Sequence, residues 1–147
     1  MIRAARPDEA GTVRGLVCDA YRHYIARIGK SPGPMLDDYA RLVADGKVWV
    51  LTDSDGIGGV LVLEDQRDAL LLDNVAVRPD RQGKGHGRAL IRCAEAMASK
   101  RDFSVPRLYT HVLMTENIAL YVRLGFVETA RVTEKGFERV YMEKALT

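Results

Sequence analysis

The stretch from residue 70 to residue 92 limits the fold more than any other part of the chain. It opens with an apolar, branched run from Leu70 to Val77, interrupted only by Asp73 and Asn74. Such a run, bounded by turn residues, predicts a buried strand. Pro79 has no N–H to give to a ladder, so the strand should end near Arg78. Gly83, Gly85 and Gly87 follow at alternate positions. Arg88-Ala89-Leu90-Ile91 then begins a helical pattern, with Leu90, Ala94 and Met97 on one stripe. Strand, glycine loop and helix together make an anion cradle. Glycines let main-chain N–H groups turn toward one point, and a helix start adds unpaired N–H groups and the positive end of its dipole. Arg78, Arg81, Lys84, Arg88 and Arg92 add positive charge nearby. The implied guest is a phosphate or pyrophosphate.

Two common phosphate motifs are excluded. No Gly-Lys-Ser/Thr follows the glycines, so this is not a P-loop. The G-x-G-x-G spacing lacks the third glycine position of the dinucleotide fingerprint. A net charge of +2 over 147 residues argues against nucleic acid, since a phosphate ligand already accounts for the basic cluster. With 47% hydrophobic and 29% charged residues the chain is globular, and its length suits one domain, residues 1–147. Cys18 and Cys93 have no metal-ligand spacing and read as buried thiols in a reducing compartment. No metal site is expected. The N-terminus has no apolar signal region and no stretch is long enough to span a bilayer, so the expectation is a cytoplasmic protein without a membrane partner.

Taken in order, Met1–Ala5 predicts a first strand. Pro7-Asp8-Glu9 starts a helix whose inner face carries Val13, Leu16, Val17, Ala20 and Tyr24. Gly29 to Pro34 must be loop, and Met35 to Ala44 reads as a second short helix. Val48–Leu51 and Ile57–Leu63 form a hairpin around Asp53-Ser54-Asp55-Gly56. After the central strand and helix, Arg107–Val112 is a strand and Thr115–Leu124 a helix stopped by Gly125. Phe126–Val132 and Arg139–Lys144 close the chain as a hairpin around Lys135-Gly136. The expected class is α/β with a mixed sheet, in the order β-α-α-β-β-β-α-β-α-β-β.

Gln82-Gly83-Lys84-Gly85-His86-Gly87 matches Q/R-x-x-G-x-G/A. With Asn-Val-Ala-Val-Arg-Pro before it and Gly-Arg-Ala-Leu after it, the segment resembles the acetyl-CoA signature of the GNAT N-acetyltransferase family. Asn117-Ile118-Ala119-Leu120-Tyr121-Val122-Arg123-Leu124-Gly125-Phe126 is similar to a second family segment, A-x-x-L-Y-x-x-L-G-F. The resemblance covers nearly the whole chain and implies the family's single-domain fold with a splayed central strand. It also implies acetyl-CoA as cofactor, with CoA as product. Its cofactor contacts would be Val75, Ala76 and Val77 on the strand, Gln82, Gly83, Lys84, Gly85, His86, Gly87 and Arg88 on the loop, and Tyr121 beside the thioester sulfur. Many members carry an Asn seven positions before that tyrosine. Here Met114 occupies the position and Asn117 stands closer, so Asn117 is a displaced candidate. The oxyanion donor implied is the backbone N–H of Val75, and a homodimer is compatible with the resemblance.

Three residues compete to handle the acceptor's proton or to bind it. Asp73 lies four residues before Val77, where some members, polyamine acetyltransferases among them, carry a glutamate. Tyr109 matches an active-site glutamate of the ribosomal-protein branch, and that carboxylate is absent here. His111 shares a strand face with Tyr109 and has a suitable unperturbed pKa of ~6.5. Tyr121, Asp73 and His111 are thus the catalytic candidates. Tyr24, Met35 and Tyr39, in the least regular segment, join Asp73, Tyr109 and His111 as acceptor-site candidates. Glu64, Glu116 and the side chain of His86 read as surface groups. The implied activity is transfer of acetyl from acetyl-CoA to a small-molecule or peptide amine, by direct attack in a ternary complex. A catalytically silent CoA-binding regulatory module and a protein- or tRNA-directed acetyltransferase are the alternatives. The acceptor itself is not written in the sequence.

Overall fold

A computed structural model describes residues 1–101 and 105–146. Its strands are β1 (Ile2–Ala4), β2 (Val48–Asp53), β3 (Gly56–Asp65), β4 (Ala69–Val77), β5 (Val105–His111), β6 (Val127–Glu134) and β7 (Phe137–Glu143). They form a mixed seven-stranded sheet in the order β1-β2-β3-β4-β5-β7-β6. The helices are α1 (Ala10–Tyr21), α2 (Tyr24–Ile28), α3 (Tyr39–Ala44), α4 (His86–Ser99) and α5 (Thr115–Arg123). The α/β class and the element order follow the expectation. The differences are local. The first helix is broken after Tyr21, and Gly33–Leu36 forms a 3-10 turn ahead of α3. Asp38 caps α3, its carboxylate accepting the Arg41 N–H at 3.2 Å.

The chain divides into two compact units, residues 1–63 with 74–93, and residues 64–73 with 94–147. In the first unit β1, β2 and β3 pair antiparallel in succession. Val60 to Leu63 of β3 are all buried, so this strand is covered on both faces. The predicted inner face of α1 is the observed one: Val13, Leu16, Val17 and Ala20 are buried, and so is Tyr24 of α2. Leu90 of α4 lies so close to β3 that a Cβ on Gly59 would stand 2.9 Å from its Cδ1.

A polar network ties α1 and the α3 region to β4. Asn74 is 3% exposed, and Tyr21 donates its hydroxyl to Asn74 Oδ1 at 2.9 Å. Asn74 Nδ2 donates to the Tyr39 hydroxyl at 3.0 Å, and that hydroxyl donates to the Pro34 carbonyl. A buried amide without partners would cost about 1–3 kcal/mol, so the network fixes where the two tyrosines stand.

In the second unit β4 pairs parallel with β5, from Ala69↔Val105 to Leu72↔Leu108. β5 and β6 each pair antiparallel with β7. Leu70, Leu72, Leu108, Phe126, Val140 and Met142 are buried there. Within α4, Leu90, Ile91, Ala94 and Ala98 are buried, and Met97 of the expected stripe is only half-buried. Cys18 and Cys93 are half-buried rather than buried. Among the described residues no helix is long and apolar enough to cross a membrane, and no cluster of His, Cys, Asp and Glu could hold a metal ion.

Replacing Asn74 by Ala removes both side-chain bonds, although the Tyr21 hydroxyl keeps the Val75 carbonyl at 3.1 Å. The expected loss of stability is about 2 kcal/mol. Urea unfolding would measure it, as a lower midpoint with an unchanged slope. A midpoint equal to wild type would show that the network does not hold the tyrosines.

Candidate active site

The glycine loop opens with a 3-10 turn at Pro79–Arg81, started by proline as a helical turn allows. Gly83 and Gly85 have φ of +82° and +83°, left-handed values that a side chain would strain. α4 begins at His86, two residues earlier than the pattern suggested, and its first described bond runs from the Ala89 N–H to the Gly85 carbonyl. Among the described residues, the main-chain N–H groups from Gly83 to Arg88 donate to no main-chain carbonyl. Six consecutive donors at a helix start are what an anion needs.

The charge around the loop is less uniform than the count of basic residues implied. Arg78 pairs with Asp80 at 3.0 Å. Arg81 is 9% exposed and directs its guanidinium to Asp53, Asp80 and Asp55. Those donors are committed inside the protein, so Arg81 is not a phosphate ligand. The Arg81 hydrogen bond, helped by the Asp55 N–H, holds the Asp53 carboxyl down at about 2. Lys84, Arg88 and Arg92 are exposed and, among the described residues, have no ion-pair partner. They are the cations left for a ligand. The side chain of His86, expected on the surface, is half-buried with Nε2 3.6 Å from Asp53.

Along β4, Asp73, Val75 and Val77 share the half-buried face, while Asn74 and Ala76 point into the core. The Val75 carbonyl accepts the Tyr21 hydroxyl. Tyr21 and Asn74 were missed as organisers of this strand. The only sequence signal was an amide inside an apolar run.

The second unit gathers Asp73, Tyr109 and His111. On β5, Arg107, Tyr109 and His111 alternate with buried Pro106, Leu108 and Thr110, as a period of two requires. Tyr109 donates its hydroxyl to Asp73 Oδ1 at 2.5 Å. Among the described residues, Asp73 Oδ2 has no partner. The Arg139 guanidinium stacks 4.4 Å from the Tyr109 ring centre. His111 Nδ1 accepts the Leu113 N–H at 3.1 Å. An imidazole that accepts at Nδ1 carries its neutral-state proton on Nε2, so neither nitrogen offers a free lone pair.

Tyr121 occupies the last turn of α5, where the main chain fixes it. Gly125 has φ +99°; the Phe126 N–H bonds the Tyr121 carbonyl at 3.0 Å and the Gly125 N–H bonds the Val122 carbonyl at 3.0 Å. This is a Schellman cap. Its usual apolar contact is made by Phe126, whose ring packs edge-on against Tyr121 at 6.2 Å. The L-Y-x-x-L-G-F pattern is thus a helix stop that orients a phenol. Asn117 Nδ2 lies 3.7 Å from the Met114 sulfur, directed at the residue that replaces the usual asparagine.

Two acceptor-site candidates turn out to be core side chains. Tyr24 and Tyr39 are 5% and 2% exposed, and the Tyr39 hydroxyl is held by Pro34 and Asn74. Tyr121 is buried to the same degree, at 5% exposed, so the engaged hydroxyl of Tyr39, more than burial, separates it from a ligand. Met35 is half-buried, its carbonyl 4.0 Å from the Cys18 sulfur.

Comparison with known proteins supplies the family. A model of the acetyltransferase (GNAT) domain matches residues 44–128, more than half of the chain. N-acetyltransferase family 8 member 3 of Rattus norvegicus is 36% identical over 77 residues, which span 50% of this chain and 34% of that protein. The chain therefore matches only about a third of that relative's length. The ribosomal-protein-alanine N-acetyltransferase of Brucella melitensis superposes with a TM-score of 0.77 at 21% identity, covering 99% of each chain. PaiA N-acetyltransferase of Thermoplasma acidophilum, solved with coenzyme A, gives a TM-score of 0.76 at 17% identity over 99% of this chain and 98% of the other. With its strand, left-handed glycine loop and capped tyrosine helix, this chain belongs to the GNAT acetyltransferase family.

Proposed function

We propose that the protein transfers the acetyl group of acetyl-CoA to an amine on a small molecule or peptide, by direct attack in a ternary complex. The observation that carries this is the run of six unpaired N–H groups from Gly83 to Arg88 at the start of α4. A diphosphate satisfies such donors, and a solved relative of the same fold holds coenzyme A. When bound, acetyl-CoA supplies an activated acyl carbon and a thiolate leaving group.

The residues have distinct tasks. Main-chain N–H groups of Gly83 to Arg88 hold the diphosphate, with Lys84 and Arg88 adding charge. Val75 and Val77 offer main-chain groups to the pantetheine amides, and the Val75 N–H is the donor for the developing oxyanion. An amine acceptor of pKa ~10.4 is neutral in roughly one molecule in 2,500 at pH 7, a cost of about 4.6 kcal/mol that a base lowers. Asp73 is the group for this, through a water on Oδ2, since Tyr109 already holds Oδ1. His111 serves to shape the site, because its Nδ1 is engaged. Tyr121 donates to the sulfur as charge builds there. A phenol of pKa ~10 is a poor full donor to a thiol of pKa ~8.5, so its role is a hydrogen bond with the proton delivered late.

Three outcomes are expected. Gly85→Asp places a side chain and a negative charge at a left-handed position in the cradle, and calorimetry should show CoA binding lost. Retained affinity would remove the cradle assignment. Asp73→Asn should lower kcat/KM by roughly 10²-fold, and His111→Ala far less. The reverse ranking in steady-state kinetics would move the proton transfer to His111, and little loss in either would mean that the amine arrives neutral. Tyr121→Phe should fold and bind acetyl-CoA normally but transfer acetyl at least about tenfold more slowly, with KM nearly unmoved. One lost donor to developing charge typically costs about 10²–10³-fold, and a thiolate is already a fair leaving group. A kcat within twofold of wild type would leave Tyr121 a packing residue.

A further inference from the structure

Arg81 and His86 stand at the two ends of the glycine loop, and both side chains converge on one oxygen. Arg81 Nε donates to Asp53 Oδ2 at 2.8 Å, and His86 Nε2, buried and without a hydrogen-bond partner, faces the same atom at 3.6 Å, beyond hydrogen-bond range. Asp53 is not in the loop: it is the last residue of β2. Its other oxygen accepts the Asp55 N–H at 2.8 Å, which fixes the carboxylate on the β2–β3 hairpin. Arg81 is further held by Asp80 at 3.1 Å and Asp55 at 3.3 Å. Both side chains pack over Gly58, where a Cβ would stand 3.3 Å from His86 Cδ2 and 3.5 Å from Arg81 Cγ.

The middle of the loop has no such support. At Gly83 and Gly85 nothing lies within 4 Å of the place a Cβ would take. A glycine segment without packing samples many conformations, and a ligand that needs one of them loses affinity in ordering it. The loop is therefore held at its ends or not at all.

We propose that Asp53 is a positioning residue that ties the Arg81 end of the loop, residues 81–86, by a hydrogen bond and steadies the His86 end by its facing charge, and so aims the N–H groups of Gly83 to Arg88 at the diphosphate of CoA. The inference rests on the cofactor assignment made above. Asp53 touches no ligand in this arrangement. It acts through Arg81 and His86, and Arg81 serves the anion site by shaping it rather than by lending charge.

The test compares two donors, acetyl-CoA and S-acetylpantetheine, which carries the thioester but no diphosphate. Asp53→Asn keeps the shape and removes the charge. It should weaken CoA binding about tenfold by calorimetry, equivalent to about 1.4 kcal/mol. The preference for acetyl-CoA over S-acetylpantetheine, as a ratio of kcat/KM values, should fall by a similar factor, and Asp53→Glu should recover much of both. A general loss of structure would lower both donors equally, and that outcome, like unchanged CoA affinity, overturns the clamp. Should Asp53→Asn not fold, backbone 15N relaxation of the wild-type protein without CoA decides. Order parameters for Gly83–Gly87 near those of the rigid backbone, about 0.85, support the clamp, and values below about 0.6 overturn it. If Gly85→Asp keeps its CoA affinity, the cofactor assignment falls first. If Gly85→Asp loses CoA while Asp53→Asn does not, only the clamp falls.

Discussion

Asn74 sets the rest of the first unit in place. An amide in the middle of an apolar strand must be fully bonded or pay for its desolvation. Tyr21 from α1 and Tyr39 from α3 supply the bonds, and the Tyr39 hydroxyl passes on to the Pro34 carbonyl. Asn74 turned inward means that Asp73 and Val75 turn the other way, because side chains alternate along a strand. The face of β4 that carries the candidate chemistry is thus fixed by a bond made on the opposite face.

The two anchors of the family pattern are local devices, which is why they could be read from sequence. The glycine pattern itself occupies a span of six residues, Gln82 to Gly87. The tyrosine helix depends on Gly125 and Phe126, four and five positions after Tyr121. Each is a statement about φ angles and nearby hydrogen bonds, and short patterns encode those well. The inner face of α1 was legible for a related reason, since a period of 3.6 needs only the segment itself.

What escaped depends on partners that no short pattern names, some of them far away in the chain. The composition of the loop places Arg81 among the cations for a phosphate, and Asp53, 28 residues earlier, together with Asp55 and Asp80, turns it inward. Tyr24 and Tyr39 flank a Pro/Gly loop, a position that predicts contact with the acceptor, yet both are buried and the Tyr39 hydroxyl is spent on Pro34 and Asn74. A tyrosine in an irregular segment looks the same whether its hydroxyl meets a ligand or a carbonyl. His111 met its requirement for pKa and strand face, and the Leu113 N–H two residues on nonetheless occupies its Nδ1. Loop geometry of that kind follows from the bend after β5, which no periodicity describes.

An anion cradle made of main-chain N–H groups has a consequence for how such a protein is surveyed. Its ligating atoms belong to every residue alike, so truncating side chains there deletes none of them. Alanine scanning would report Gln82 as nearly silent and Lys84 as a modest charge effect, and a map of sensitive positions would leave the cradle almost blank. The exceptions are Gly83 and Gly85, where the scan adds atoms at a left-handed φ instead of removing them. In this family segment, functional weight is carried by backbone conformation, and chemical labelling or scanning that looks only at side chains will place the binding determinants elsewhere.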